Sequence, residues 1–510
     1  MEENNFEHKK KEIKAKLLLL SKKPLKVSLI ALLFFAFALR FYYFLRAGGQ
    51  PLWWDEACYG SLAKNLIYHS WDNSDLIIHE AIIRPPLFPL FWSLLLRIGI
   101  PEIGIKFLLE FIPSFFSVIF IYLLVKELYG KKTALMSAFI FSVLWIHLFY
   151  IVRLMTNVPA LVFLLASMYF FIKSVKSDLK LNLFSISLFL LSLSTLIRYP
   201  NGIFFFIYLI FLILHKKLFL NKLRFWIMGI IGIFPLIVFF IRNKIIYDNI
   251  FPVLIGGDVK PTEVGGEVVP FAYSILNYIP LYLKSTFFIF FLIGIIVMLL
   301  ELFIGYDFIM KSRKLKNHLF VILTLVFFYS FFIFYTRVAE DRWLLPTSFA
   351  VCCLAGFGLN YSYNFIKKYN KIFAIFFVFA ILFFGAYTQI KFATEIIDSR
   401  KTSYLQIKQG FEWIKENSPE ESVLIGNGIQ PYAVYYSGRP YLNFPSNESG
   451  KESISQANYL IYHSFTPQSE YFVEYLQENQ DNWMPIKGYF FDEEQKQPAL
   501  IIYQNTNFSF

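Results

Sequence analysis

Long apolar stretches recur along this sequence, and short clusters of lysine and arginine separate them. A helix needs about 20 mostly apolar residues to cross a bilayer. About eleven stretches qualify, centred near Phe35, Val118, Phe141, Phe163, Phe189, Ile207, Ile233, Ile293, Val326, Leu354 and Phe379. The 510-residue chain is 57% hydrophobic and only 16% charged, more apolar surface than one soluble core can bury. The sequence therefore predicts an all-α polytopic membrane bundle of about eleven transmembrane helices.

The positions of the basic residues predict how this bundle is oriented. Residues 1–26 form a basic tail, and lysine clusters recur at every second connection between the apolar stretches. Basic residues favour the cytoplasmic side of a membrane. We therefore expect a multi-pass protein of the cell membrane with a cytoplasmic amino end, and a first span retained as a signal anchor. The net charge of +12 reflects this topology and does not indicate nucleic-acid binding.

The composition changes after about residue 395, where Glu, Asn, Gln and Ser become frequent. Short apolar runs at 422–426, 458–464 and 499–504 alternate there with helix-like segments at 404–417 and 469–479. This pattern is typical of a small α/β domain. The predicted organisation is a cytoplasmic tail (1–26), a transmembrane domain (27–395) and an extracytoplasmic α/β domain (396–510).

The first outer loop, residues 47–105, is too long for a passive connection. Apolar residues after Asp55 recur at helical spacing, which predicts an amphipathic helix with one buried stripe; they are Tyr59, Leu62, Ala63, Leu66 and Ile67. The segment "RPPLFPLFWSLLLRIG" (84–99) is too short to span. It predicts a second helix in the interface plane, with Trp92 and Arg97 at headgroup level. The two helices form a shelf that carries the predicted catalytic residues.

Two adjacent acids, Asp55 and Glu56, stand at the start of this shelf. Asp is a favoured helix N-cap, so capping is an alternative to a chemical role. Neighbouring residues on a helix diverge by about 100°, so the two cannot converge on one bond. We expect one acid to act as a general base and the other to orient the loop or the acceptor.

Arginines accumulate at the predicted outer ends of the spans, against the usual bias. A single arginine there is commonly a snorkelling side chain. Several together indicate a bound anion, and the planar guanidinium suits phosphate oxygens. Nucleotides are scarce outside the cell, so we expect this anion to be a lipid phosphate. Trp54 and Tyr59 are candidates for stacking on a sugar or prenyl chain, with interfacial anchoring as the alternative. The candidate arginines are Arg84, Arg153, Arg198 and Arg342.

These features favour an enzyme in which a carboxylate takes a proton from an acceptor hydroxyl while arginines stabilise a departing phosphate. The alternative is a polytopic lipid or solute transporter, in which the arginines line a pathway. Transport sites are usually built near the bilayer midplane from repeated halves. Here the charged residues gather at one face and no internal repeat is visible, which favours the enzyme.

Five segments, in order, resemble the GT-C glycosyltransferases related to protein O-mannosyltransferases and the aminoarabinose transferase of lipid A. They are "DE" at 55–56, "RPPLFPLFWSLLLRIG", "KELYGKKTALMSAFIFSV", "YIVRLMTNVPALVFLL" and "EDRWLLP". The resemblance implies transfer of a sugar, with inversion, from a polyprenyl-phosphate donor to a hydroxyl on a protein, glycan or lipid. It implies Asp55 as the base, Glu56 as its partner and Arg84 as a phosphate or acceptor contact.

The chain departs from this family at Asn157, where many relatives have an Asp before the proline. Asn is a weaker metal ligand and cannot act as a base. A divalent metal is therefore doubtful, no cofactor is required, and Asn157 is equally well explained as a cap for the fourth span.

Overall fold

The computed structural model describes residues 24–68, 81–215, 222–251, 275–336, 340–448 and 451–507. The predicted basic tail lies outside these ranges up to residue 23. The chain forms two compact units. Unit 1 comprises Met1–Arg46 and Lys106–Ile397, and unit 2 comprises Ala47–Ile105 and Asp398–Phe510. The first loop thus belongs to the same unit as the carboxyl-terminal domain, although most of the helical bundle separates them in sequence.

Helices dominate the described chain. In chain order they are α1 (Pro24–Ala47), α2 (Trp54–Tyr68), α3 (Leu87–Arg97), α4 (Glu102–Tyr129), α5 (Lys131–Val143), α6 (Trp145–Tyr150), α7 (Asn157–Lys176), α8 (Leu181–Ile197), α9 (Tyr199–Leu214), α10 (Leu223–Tyr247), α11 (Tyr278–Ile304), α12 (Arg313–Tyr335), α13 (Asp341–Lys367), α14 (Lys371–Arg400), α15 (Leu405–Asn417), α16 (Gln430–Tyr432), α17 (Lys451–Ser455) and α18 (Glu470–Glu478). A π-turn, Ala433–Ser437, continues α16; together they are the 430–437 segment.

Eight of the described helices are long and apolar enough to cross a membrane: α1, α4, α7 and α10 to α14. They contain eight of the eleven predicted centres. Phe189 and Ile207 lie on the shorter apolar helices α8 and α9, and Phe141 lies on α5, which has 13 residues. A mostly helical membrane bundle is therefore confirmed, while the count of eleven spans stays a prediction.

Within unit 1, α13 is the most enclosed long helix. In its most apolar stretch 83% is buried, against 11% for α10, whose apolar surface suits contact with lipid. Helices α11 and α13 cross closely at Gly294 and Gly358. A Cβ built on Gly294 would lie 2.1 Å from the carbonyl oxygen of Leu354. Small residues at such crossings let helix backbones pack without intervening side chains, as is common in membranes.

Unit 2 contains a five-stranded sheet in the order β2-β1-β3-β5-β4. The strands are β1 (Leu424–Gly426), β2 (Tyr441–Asn443), β3 (Tyr459–His463), β4 (Trp483–Phe490) and β5 (Pro498–Asn505). Strand β1 pairs in parallel with β2 and β3, whereas β5 pairs antiparallel with β3 and β4. A core cluster on the sheet contains Ile425, Phe444, Ile454, Ala457, Leu460, Phe472 and Trp483.

The three apolar runs predicted as strands form β1, β3 and β5, and the two helix-like segments form α15 and α18. Strands β2 and β4 are additional. Strand β2 has only three residues, and β4 contains Pro485 and Gly488, which weaken a strand pattern. Proline is tolerated in β4 because this strand lies at the edge of the sheet and is irregular beside Pro485.

The prediction that α2 has a single buried stripe is wrong, because residues 56–63 are all buried. The 430–437 segment and α3 pack against the helix, so more than one face is covered. Trp92, which was expected at headgroup level, is covered by protein. Its side chain is fully buried, 6.1 Å from the Phe88 ring and 5.8 Å from the Tyr435 ring. The opposite face of α3 nevertheless exposes Leu90 and Leu94.

Candidate active site

Asp55 and Arg84 lie together in unit 2, although 29 positions separate them. Asp55 is the second residue of α2, and Arg84 precedes α3. The Arg84 Nη2 donates to Asp55 Oδ1 at 2.9 Å. The Asp55 side chain is 28% exposed and that of Arg84 is 12% exposed. This is a charge-assisted hydrogen bond at a partly open position, so the carboxylate is oriented and still accessible.

Tyr59 provides the surface on which the Arg84 guanidinium rests. The guanidinium carbon lies 4.6 Å from the centre of the Tyr59 ring. Tyr59 is buried and meets Phe88 edge to face at 5.3 Å. A cation over an aromatic face is stabilised, more so where water is excluded. Arg84 is therefore held from below by Tyr59 and from the side by Asp55.

Glu56 has a different environment from Asp55. Its side chain is buried, and its Oε2 accepts the backbone N–H of Trp53 at 2.5 Å. Trp53 directly precedes α2, so this is the contact in which an acid at the third helical position reaches back to the N-cap. The capping role considered for Asp55 therefore belongs to Glu56. The helix start orients the two acids differently, as their divergence on a helix predicts.

The 430–437 segment packs along α2. The Ser61 hydroxyl donates to the Pro431 carbonyl at 3.1 Å, and the Leu52 N–H donates to the Tyr436 hydroxyl at 2.9 Å. A Cβ on Gly60 would lie 2.5 Å from the Tyr435 ring, so only glycine permits this approach. The sequence signals these contacts only weakly, through the small residues on α2.

Lys64 closes this interface. Its Nζ donates to the carbonyl of Tyr435 and lies 4.1 Å from the centre of the Tyr435 ring. The Tyr435 hydroxyl in turn donates to Glu102 Oε2 at 3.1 Å. Burial, reinforced by Lys415, lowers the pKa of Lys64 to about 8, although Glu102 opposes the shift. Burial therefore destabilises the charged form of the Lys64 side chain relative to a lysine in water.

Trp54 stands next to Asp55 with 40% of its surface exposed. Its ring meets Tyr432 at 6.1 Å, nearly edge to face. Of the predicted substrate contacts, the structure thus brings Arg84 and Tyr59 to Asp55 and leaves Trp54 beside them at the surface. Tyr59 supports Arg84 and is not itself open for stacking.

Arg153 and Arg342 gather around Tyr150 in unit 1. Both interact electrostatically with this tyrosine, whose hydroxyl donates to Asp341 Oδ1 at 3.4 Å. Arg153 is fully buried, and the Nε of Arg342 lies 2.5 Å from Glu340 Oε2. Two cations and two acids are therefore concentrated at this end of α13.

Arg198 lies at the junction of α8 and α9. It is half-buried, and its backbone N–H donates to the Ser194 carbonyl at 2.9 Å. The Ser194 hydroxyl donates to the Ala160 carbonyl at 2.7 Å, so this end of α8 lies beside the first turn of α7.

Lys106 and Glu110 are absent from the sequence-based candidates. Both are fully buried near the start of α4, and Glu110 lies within a π-turn, Phe107–Phe111. Its Oε1 accepts the Met155 N–H at 2.9 Å. Charged residues within an apolar span are costly and commonly functional, and π-turns often mark functional sites. Their position in "IKFLLEF" is the sequence signal that identifies them.

Asn157 does not cap α7 with its side chain. It is the first residue of the helix after Thr156, and its Nδ2 donates to the carbonyl of Arg342 at 2.7 Å. Among the residues that the structure describes, no group of three or more His, Cys, Asp or Glu could hold a metal ion. The amide at 157 supplies a poorer ligand than an aspartate, so these residues do not fit a metal centre.

Comparison with known proteins identifies a family pattern. The sequence pattern of the family described as dolichyl-phosphate-mannose-protein mannosyltransferase matches residues 83–241. This region contains Arg84, Arg153, Asn157 and Arg198. No curated protein matches the full sequence at a significant level.

Solved structures share the fold at low sequence identity. The oligosaccharyltransferase of Archaeoglobus fulgidus, tethered with an acceptor peptide, matches with a TM-score of 0.61 at 13% identity, over 94% of this chain and 74% of that one. The same enzyme, AglB, in complex with an inhibitory peptide and a dolichol-phosphate gives 0.57 at 13% identity, over 94% and 74%. ArnT from Cupriavidus metallidurans, bound to undecaprenyl phosphate, gives 0.59 at 9% identity, over 93% and 97%.

The resemblance inferred from the sequence is confirmed, since the matched family and the matched structures are membrane glycosyltransferases. These comparisons give the transporter alternative no support. The chain is a multi-pass membrane protein with the GT-C glycosyltransferase fold, and its residues 83–241 carry the pattern of the dolichyl-phosphate-mannose-protein mannosyltransferase family.

Proposed function

We propose that this protein is an inverting glycosyltransferase that moves a sugar from a polyprenyl-phosphate donor to a hydroxyl acceptor on the outer face of the membrane. The observation that carries this proposal is the contact between Asp55 and Arg84 at a partly exposed helix start. A carboxylate that can accept a proton lies there beside a guanidinium that can pair with phosphate, and the reaction needs both kinds of group.

Asp55 is the proposed general base. It takes the proton of the acceptor hydroxyl as that oxygen forms a bond to the anomeric carbon of the sugar. The bond from this carbon to the phosphate oxygen breaks on the opposite face, and its electrons leave with the prenyl phosphate. One displacement of this kind inverts the anomeric configuration. Arg84 stabilises the negative charge that develops on the phosphate.

Glu56 has a positioning role in this proposal. Its buried carboxylate caps α2, which fixes the direction in which the neighbouring Asp55 points. Trp54 is a contact for the acceptor or the prenyl chain. Arg153, Arg198 and Arg342 in unit 1 stay sequence-based candidates for donor phosphate binding. The proposed reaction does not use a metal ion.

The donor and acceptor classes draw on the matched structures, which were solved with dolichol-phosphate, undecaprenyl phosphate and an acceptor peptide. Two enzymes of this fold were solved with a prenyl phosphate bound, which supports a prenyl-phosphate-linked donor here. The acceptor hydroxyl belongs to a protein, a glycan or a lipid. The outer-face assignment rests on the alternation of basic clusters.

The decisive experiment replaces Asp55 with Asn in the full-length protein, reconstituted in nanodiscs. Release of prenyl phosphate and transfer of sugar are measured with a panel of synthetic polyprenyl-phosphate sugars. We expect D55N to reduce both by about 10²- to 10⁴-fold, because the base is lost while the shape is kept.

The matched control is Asp481→Asn, which removes an exposed carboxylate elsewhere in unit 2. It should leave both rates unchanged. Wild-type rates in D55N, with the protein folded, would contradict the assignment of Asp55 as the base.

A further inference from the structure

Five aromatic side chains of unit 2 form a continuous row that begins beside Asp55. The row, in spatial order, consists of Trp54, Tyr432, Tyr404, Phe465 and Phe491. Successive ring centroids are 6.1, 5.5, 5.3 and 5.2 Å apart. The members come from five separate segments of the chain, so no run in the sequence reveals the row.

The exposure of the rings distinguishes the row from ordinary core packing. Trp54 is 40% exposed and Phe491 is 49% exposed, at the two ends. Tyr404 and Phe465 are half-buried between them, and Tyr432 lies buried beneath. The buried Tyr432 ring joins Trp54 to Tyr404, so the exposed area lies at Trp54 and along Tyr404, Phe465 and Phe491. The row therefore presents a partly open aromatic surface.

Tyr404 adopts a backbone conformation that is uncommon for its residue type. Its φ is 64°, in the left-handed region, immediately before α15 begins. A bulky residue seldom occupies this region, and such positions persist where the surroundings hold them. Here the backbone directs the Tyr404 ring between Tyr432 and Phe465.

Neutral polar groups border the far half of the row. The Asn427 amide donates to the Gln468 Oε1 at 3.3 Å, and Gln468 donates to the His463 carbonyl at 2.7 Å. The ring of His463 lies 6.4 Å from that of Phe465, and Thr466 is exposed beside it. No member of the row carries a charge. Amides and a hydroxyl edge the row near Phe465, and Asp492 follows Phe491 at its far end.

We propose that this row binds a neutral saccharide acceptor and leads its terminal hydroxyl to Asp55. The proposal rests on the proposed function and specifies its acceptor class. Sugars present apolar C–H faces that pack on aromatic rings and hydroxyls that pair with amides and water. An acyl chain cannot form hydrogen bonds with the bordering amides. The row itself contains no cation that could pair with an acidic ligand.

The first test measures binding by full-length protein in nanodiscs. The probes are neutral manno- and gluco-oligosaccharides of one to five units. Their binding is measured by isothermal titration calorimetry and saturation-transfer NMR. We expect affinity to rise with chain length, and Phe465→Ala and Phe491→Ala each to weaken binding about three- to tenfold. Both residues lie at or near the surface, and a thermal-unfolding scan verifies that each variant is folded.

The second test separates acceptor binding from donor chemistry. Without an acceptor, water attacks the anomeric carbon and prenyl phosphate leaves; the rate of this hydrolysis should be unchanged in both row variants. With the oligosaccharide acceptor, KM should rise while kcat stays near that of the wild type. The matched control is Met484→Ala, which truncates an exposed apolar side chain on β4 away from the row.

Three results would overturn the inference: oligosaccharide binding that ignores both substitutions, binding that is independent of chain length, or row-dependent binding of an unglycosylated peptide or a phosphatidylcholine vesicle in place of the sugar. These failures are distinct from failure of the proposed function. If D55N transfers normally, the base assignment falls; if D55N is inactive and no saccharide binds, the row assignment falls alone.

Discussion

Replacing Asp55 and replacing its neighbour Glu56 should affect different properties of the protein. Glu56→Ala removes the acceptor of the Trp53 N–H, a hydrogen bond of 2.5 Å to a buried carboxylate. Hydrogen bonds to charged groups contribute about 1.5–3 kcal/mol. For a folded unit of 150–250 residues this corresponds to a fall in Tm of about 3–12 °C. We expect E56A to lose stability. D55N keeps an acceptor oxygen for Arg84, so we expect it to lose activity with a smaller loss of stability.

The assay combines differential scanning fluorimetry in nanodiscs with single-turnover sugar transfer below the Tm of each variant. Glu56→Gln is the intermediate case, because it keeps an acceptor oxygen without the charge and should lose about 1 kcal/mol. At a temperature where E56A is folded, its rate should be reduced far less than that of D55N. An E56A variant that is as stable as the wild type, yet inactive by orders of magnitude, would refute the reasoning and give Glu56 a direct chemical role.

Three further predictions concern the surroundings of Asp55. Arg84→Ala should lower the rate of sugar transfer about 10- to 100-fold, and Arg84→Lys should recover part of that rate. Steady-state kinetics with equal rates for the wild type and both variants would contradict this. Gly60→Val should destabilise unit 2 by about 1–3 kcal/mol, because its side chain would enter the space of the Tyr435 ring; thermal unfolding measures it, and an unchanged Tm argues against the close approach. Burial lowers the pKa of Lys64 to about 8. The folded protein therefore binds fewer protons than the unfolded one from about pH 8 up to the ordinary lysine value of 10.5, and the free energy of unfolding should rise with pH across that window relative to Lys64→Met. A difference between wild type and K64M that is flat from pH 8 to 10.5 would show that Lys64 is not desolvated.

Part of the site can be predicted from the sequence because it depends only on local backbone geometry. Asp55 and Glu56 stand where an apolar helical pattern begins, and adjacent positions on a helix point in different directions whatever packs around them. That rule assigns different roles to the two acids. It does not decide which acid caps, because capping depends on the residue at which the helix starts. The helix starts at Trp54, which places Glu56 at the position that reaches back to Trp53.

Other errors have one common cause, the packing of distant segments. Trp92 and the outer face of α2 have the composition of interfacial groups, yet both are buried in unit 2. Tyr435, more than 340 positions away in sequence, covers Trp92 and Gly60. Periodicity reports which face of a helix is apolar, but not how many faces a remote domain will cover.

The amino-acid pattern assigns the class of molecule, because about 20 apolar residues can satisfy their backbone hydrogen bonds in a bilayer only as a helix. It also predicts three of the five strands of the carboxyl-terminal domain, and the order of its motifs indicates a resemblance to the GT-C glycosyltransferases. Which side chains meet depends on the folded chain. The pairing of Arg84 with Asp55, the support from Tyr59 and the aromatic row join segments far apart in the chain, and such contacts are fixed by packing rather than by local preference.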